Sequence, residues 1–150
     1  MRAEPRFCAV SAGDIDADGD NDLYFGDYQQ PESSPRPVDL NDRLWINDGT
    51  GYFTDQSSTR MTFQMLESSF GMATAIADMN GDGRLDIVKD DALNAPQAIS
   101  ISYNNLLGAT TDGFFNGYQL AYEFTPYHVA TPDLNGDGKL DLIASDDSQS

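Results

Sequence analysis

Cysteine, histidine and cations are all scarce in this chain of 150 residues, and each scarcity closes off a class of function. Cys8 is the only cysteine, so no internal disulfide can form, which is neutral on compartment; its expected role is a small apolar residue in a strand. Eight Lys and Arg against 25 Asp and Glu leave a net charge of −17, which would repel phosphates and excludes nucleic acid as a partner. No stretch approaches the roughly 18 consecutive apolar residues of a membrane span. Met1 to Phe7 lack the apolar centre of an export signal, so any targeting segment is expected to lie outside these residues. His128 is the sole histidine, at a position where related segments carry Ala, and no nucleophile, base and orienter can be assembled around it. A phosphate-cradling glycine loop is also missing. No catalytic residues and no enzyme are expected. Helical periodicity is weak throughout; Met61 to Phe70 comes nearest and reads as an irregular crossing.

What remains is enough for one folded domain, with 39% hydrophobic and 11% aromatic residues. An acidic excess of this size signals a halophile surface, a disordered acidic tail or bound cations. Position decides among these. Five acidic residues fall within 14–22, three within 78–86 and three within 133–141, eleven of the 25 in three windows of nine.

The three windows align without gaps. They run Asp14-Ile-Asp16-Ala-Asp18-Gly19-Asp20-Asn-Asp22, Asp78-Met-Asn80-Gly-Asp82-Gly83-Arg84-Leu-Asp86 and Asp133-Leu-Asn135-Gly-Asp137-Gly138-Lys139-Leu-Asp141. Ca²⁺ takes six to eight oxygens at about 2.3–2.6 Å, and carboxylates at positions 1, 3 and 5 of a tight loop can converge on one point. Glycine at position 6 permits the reversal, and a position-7 carbonyl with a position-9 carboxylate would complete the shell. The expected side-chain ligands are Asp14, Asp16, Asp18 and Asp22; Asp78, Asn80, Asp82 and Asp86; Asp133, Asn135, Asp137 and Asp141. Asp20, Arg84 and Lys139 would lend carbonyls and leave their side chains to water. Without a cation, carboxylates about 5 Å apart repel by roughly 3 kcal/mol at an effective dielectric near 20. Three ions would bring the charge from −17 to −11. An EF-hand would need a Glu at position 12 and flanking helices, but that position holds Phe25, Lys89 and Ala144.

The loop starts lie 64 and 55 residues apart, a period suited to a four-stranded unit. Strands are expected before each loop at Phe7 to Ala12, Gly71 to Ala77 and Tyr127 to Thr131. The returning strands are expected at Leu23 to Phe25, Leu85 to Val88 and Leu140 to Ala144. Arg43 to Ile46 reads as a third strand, closed by the turn Asn47 to Gly51, with Tyr52 to Thr54 opening a fourth. Ala98 to Tyr103 and Phe114 to Tyr122 are their counterparts in the second unit. Pro31 to Pro37 reads as a surface insert. Asp27, Asp91 and Asp146 recur thirteen residues after each loop start, which suggests a shared bracing hydrogen bond.

The pattern of apolar strand, D-x-[DN]-x-D-G-x-x-D-[LI] and second apolar strand resembles the FG-GAP or VCBS-type repeat of integrin-α-like β-propellers. Phe70-Gly71 matches that repeat's opening, and Leu44-Trp-Ile-Asn47-Asp-Gly-Thr-Gly51-Tyr-Phe53 its outer-strand motif. The resemblance implies an all-β array of propeller blades, each a four-stranded antiparallel sheet with a calcium loop between its first two strands. The expected units are 7–69, 70–126 and a truncated 127–150, an incomplete ring. Such a chain is expected to be a segment of a longer polypeptide, or to complete its sheets with neighbouring blades or subunits. The implied setting is extracellular or at the cell surface, with a protein or glycan partner. Three roles compete: a non-catalytic scaffold for adhesion, recognition or assembly; a lectin-like module using Trp45, Tyr24, Tyr28 or Tyr52; and the non-catalytic propeller of a larger secreted enzyme.

Overall fold

The computed structural model describes residues 7–27, 42–67, 71–91, 98–105, 115–121 and 126–146. The Pro31 to Pro37 insert, Tyr28 and Phe70 lie outside them, as do the side chains of Asp91 and Asp146.

Alternating side chains build the first sheet. In β3 (Arg43–Asn47) Leu44 and Ile46 are buried while Arg43, Trp45 and Asn47 face the other way, the period of two that a half-buried strand requires. It pairs with β2 (Asp22–Asp27) and β4 (Phe53–Asp55), and β2 pairs with β1 (Phe7–Gly13), all antiparallel in the order β1-β2-β3-β4. The β3–β4 turn is fastened by Asp48 Oδ1, which accepts from Thr50 N at 2.9 Å, and by Asn47 Oδ1, which accepts from Gly51 N at 3.1 Å. The second sheet repeats the plan with β5 (Thr74–Ala77), β6 (Asp86–Asp91), β7 (Ala98–Asn104) and β8 (Phe115–Ala121). A third, two-stranded sheet pairs β9 (Pro126–Ala130) with β10 (Ile143–Asp146).

The sheets stack face to face. Ile87 and Val88, successive residues of β6, point to opposite faces and enter different cores. Ile87 joins Ile15, Tyr24, Leu44, Ile46 and Phe115 between the first and second sheets. Val88, Ile99 and Ile101 meet Val129, Leu142 and Ala144 between the second and third.

Three local expectations are corrected, the first being that the returning strand expected from Leu140 begins only at Ile143. The Met61 to Phe70 crossing is flanked and entered by helical turns, α1 (Ser57–Arg60) and α2 (Phe63–Glu67). Met61 and Met65, four apart, both enter the first core, a spacing too brief for periodicity to be read from sequence. The strand expected from Gly71 begins only at Thr74. Gly71 N donates instead to Asp27 O in the neighbouring sheet at 2.9 Å, and Ala73 N to the Asp90 side chain at 2.9 Å. The backbones meet so closely there that a Cβ on Gly26 would lie 2.7 Å from Gly71 O, so a side chain at that position would collide with backbone. No helix among the described residues is long and apolar enough to cross a membrane.

Candidate metal centre

Each acidic window is the hairpin loop joining the first two strands of its sheet. In loop 1 the Asp14 carboxylate accepts from Asp18 N and Gly19 N, both at 3.0 Å. Asp78 does the same with Asp82 N at 3.1 Å and Gly83 N at 2.8 Å, and Asp133 with Asp137 N at 3.2 Å and Gly138 N at 2.9 Å. The position-5 carboxylates, Asp18, Asp82 and Asp137, accept from the N–H of Asp20, Arg84 and Lys139. Asn80 and Asn135 each accept from the N–H two residues on. The glycines at position 6 have φ of 101°, 82° and 85°, the left-handed conformation only glycine takes freely. At position 4, Gly81 and Gly136 are also left-handed, whereas loop 1 forces Ala17 to φ 60°.

Position 9 carries a second duty. Asp22 is fully buried; one oxygen accepts from Ile15 N and the other from Asn47 N, both at 2.9 Å. Asp86 repeats this with Met79 N at 2.9 Å and Asn104 N at 2.8 Å, and Asp141 accepts from Leu134 N at 2.8 Å. These aspartates lock each loop to its own hairpin and, in the two complete sheets, to the end of the third strand. Each carboxylate oxygen has a further lone pair beyond one N–H bond.

Asp14, Asp16 and Asp18 each offer an oxygen within 4.8 Å of the others'. Asp16 Oδ1 and Asp20 Oδ1 are buried and make no hydrogen bond. Buried carboxylate oxygens without donors are costly, and a hard oxygen-seeking cation would satisfy that of Asp16. The donor set of loop 1 therefore fits a divalent metal. Burial, followed by its neighbour Asp18, raises the pKa of Asp20; burial also raises Asp22 and Asp86, against the pull of the backbone N–H groups they accept from.

The position-7 side chains depart from expectation. Asp20 turns back toward Gly49 N–H in the β3–β4 turn. Arg84 donates through Nε to Asn104 O at 2.8 Å and pairs with Asp82. Only Lys139 is exposed to water. Both exceptions arise because the third strand ends beside the loop and offers partners.

Several structural residues near the loops have no motif to announce them. Asn104 Nδ2 donates to Ile15 O at 2.7 Å and to Leu85 O at 3.1 Å, tying loop 1 to loop 2. Arg60 reaches Asp16 from α1. The matching placement of Asn47 and Asn104 at the ends of β3 and β7 was the available signal for the first of these. Asp27 is buried and its backbone N–H donates to Asp42 at 2.9 Å. Tyr24 is also buried, its hydroxyl donating to Asp42 at 2.8 Å, so it offers no sugar-stacking face. Trp45 packs edge-on against Phe25, while Tyr52 is exposed. Cys8 lies in a strand as expected, exposed beside a register shift in β1.

A family model for the FG-GAP-like repeat matches residues 14–88, half of the chain. Integrin alpha-V of Gallus gallus is 34% identical over 92 residues, 61% of this chain, which spans 9% of that protein's length. The chain belongs to the FG-GAP-like repeat family, and its antiparallel sheets are β-propeller blades.

Proposed function

We propose that this chain is a calcium-stabilised, non-catalytic propeller scaffold that serves adhesion, recognition or assembly outside the cell. The observation that supports it most directly is the convergence of Asp14, Asp16 and Asp18, with one oxygen of Asp16 buried and without a donor. Loops 2 and 3 repeat the same hydrogen-bond plan, so one ion in each loop, about three in all, is the simplest reading. Asp14, Asp16, Asp18 and Asp22, and their counterparts at 78–86 and 133–141, would hold the ions, with the carbonyls of Asp20, Arg84 and Lys139. Calcium is favoured because every donor is a hard oxygen. The likeness to an integrin α chain supports an extracellular or cell-surface setting with a protein or glycan partner.

Elemental analysis and thermal melting test this reading. Protein purified in calcium should retain the metal after dialysis, and excess chelator should lower Tm, because ions bound only to the folded state stabilise it by mass action. A metal-free protein whose melting ignores both calcium and chelator would remove the proposal.

A further inference from the structure

Loop 1 carries more negative charge than its counterparts and lacks the cation they hold. Its position 3 is Asp16 where the others have Asn80 and Asn135, and its position 7 is Asp20 where they have Arg84 and Lys139. A positive charge reaches it from outside: the Arg60 guanidinium lies 3.0 Å from Asp16 Oδ2. Arg60 ends α1, and its Nε donates to Gln56 Oε1 at 2.7 Å, which aims the side chain. The next residue, Met61, shares a buried cluster with Ile15 of loop 1. The two side chains of the pair keep only 17% and 15% of their exposure, so the interaction is screened less than an ordinary surface pair. Arg60 holds Oδ2 and leaves Asp16 Oδ1 buried without a donor.

We infer that Arg60 is a tethered positive charge opposing a divalent cation at loop 1, so that filling this loop and docking the 56–67 segment disfavour one another. The inference rests on the calcium reading above. Charge sets its sign. The five carboxylates of Asp14, Asp16, Asp18, Asp20 and Asp22 give loop 1 a formal −5, and a divalent ion brings it to −3. The filled loop therefore attracts Arg60 less, and linkage requires that docked Arg60 weakens the ion by the same factor. Among the described residues no cation from outside loop 2 pairs with its carboxylates; its own Arg84 does so. Loop 1 is thus the loop whose occupancy is communicated to the chain crossing between the first and second blades.

The loops can be resolved in ¹H–¹⁵N spectra of the whole chain titrated with calcium chloride. The amides of Gly19, Gly83 and Gly138 each donate to the position-1 carboxylate of their own loop and report on it. Arg60→Gln should tighten calcium at Gly19 by about tenfold and leave Gly83 and Gly138 unchanged, while Arg60→Lys, which keeps the charge, should stay near wild type. In the wild-type chain, calcium should speed hydrogen exchange at Arg60 and Met61, whose amides donate to Gln56 O and Ser57 O. Equal or weaker binding at Gly19 in Arg60→Gln, with normal responses at the other two glycines, overturns the inference and spares the calcium reading. So does Arg60→Lys behaving like Arg60→Gln. Silence at all three glycines overturns both. Should Arg60→Gln fail to fold, the wild-type exchange rates decide alone, and unchanged or slower exchange on adding calcium is the refuting result.

Discussion

Lys89 Nζ lies 2.5 Å from Asp42 Oδ2, joining the second strand of one blade to the residue just ahead of the third strand of the blade before it. Both side chains are almost completely buried, at 3% and 0% exposure. Asp42 also accepts from the Tyr24 hydroxyl and from Asp27 N, so the pair is one corner of a larger inter-blade network. Removing one member of a buried pair leaves the other charge without its counter-ion, which costs more than the pair itself contributes. Lys89→Met should lower the unfolding free energy by about 3 kcal/mol. Urea denaturation measures it, and a loss under about 1 kcal/mol would mean that water or another group replaces the ammonium.

The two duties assigned to the loop aspartates separate when metal is removed. Asp86 is buried and anchors two backbone N–H groups, whereas Asp82 is exposed at the loop tip. In excess chelator, Asp86→Ala should cost about 2 kcal/mol and Asp82→Ala no more than about 0.5. With calcium present, both should lose stability. Equal losses in chelator would show that position 9 is not a brace.

Ala17 holds a backbone conformation that Gly81 and Gly136 hold in the sister loops, at φ 60° against 77° and 74°. A left-handed Ala is strained by roughly 1 kcal/mol or more, partly offset by the lower chain entropy of Ala in the unfolded state. Ala17→Gly should therefore raise stability by about 0.5 kcal/mol with chelator present. A drop in Tm would contradict that strain.

Burial raises the Asp90 pKa from 3.8 to about 6, despite the Ala73 N–H it accepts and the nearby Lys89 charge. Because the folded-state value is the higher one, the protonated carboxyl's stabilising contribution is fully present below pH 3.8 and is lost as pH rises through about 6. Asp90→Asn keeps the acceptor without the charge. Its unfolding free energy should exceed wild type near neutral pH by up to ~3 kcal/mol, and the two curves should converge below about pH 4. Equal stability at neutral pH would mean that the carboxylate is charged at little cost.

The acidic loops could be read from sequence because the bonds that make each reversal lie within nine residues. Asp14 bonds to amides four and five residues on, and glycines 19, 83 and 138 make the reversal. The strands were readable for a similar reason: alternation such as that of Leu44 and Ile46 is a local signal of a face turned to a core. The family resemblance rests on the same local order. Tertiary structure alone decided which residues meet across the stack. Lys89 and Asp42 are 47 positions apart, and Asn104 and Ile15 are 89 apart. Composition marks Lys89 as a surface residue by default, and nothing near it in the chain names its partner. The sheet-on-sheet stacking buries it, and burial is what turns an unremarkable lysine into a counter-ion and an exposed-looking Arg60 into a neighbour of loop 1. A short motif carries its own geometry, whereas a contact between blades exists only once both faces have been packed together.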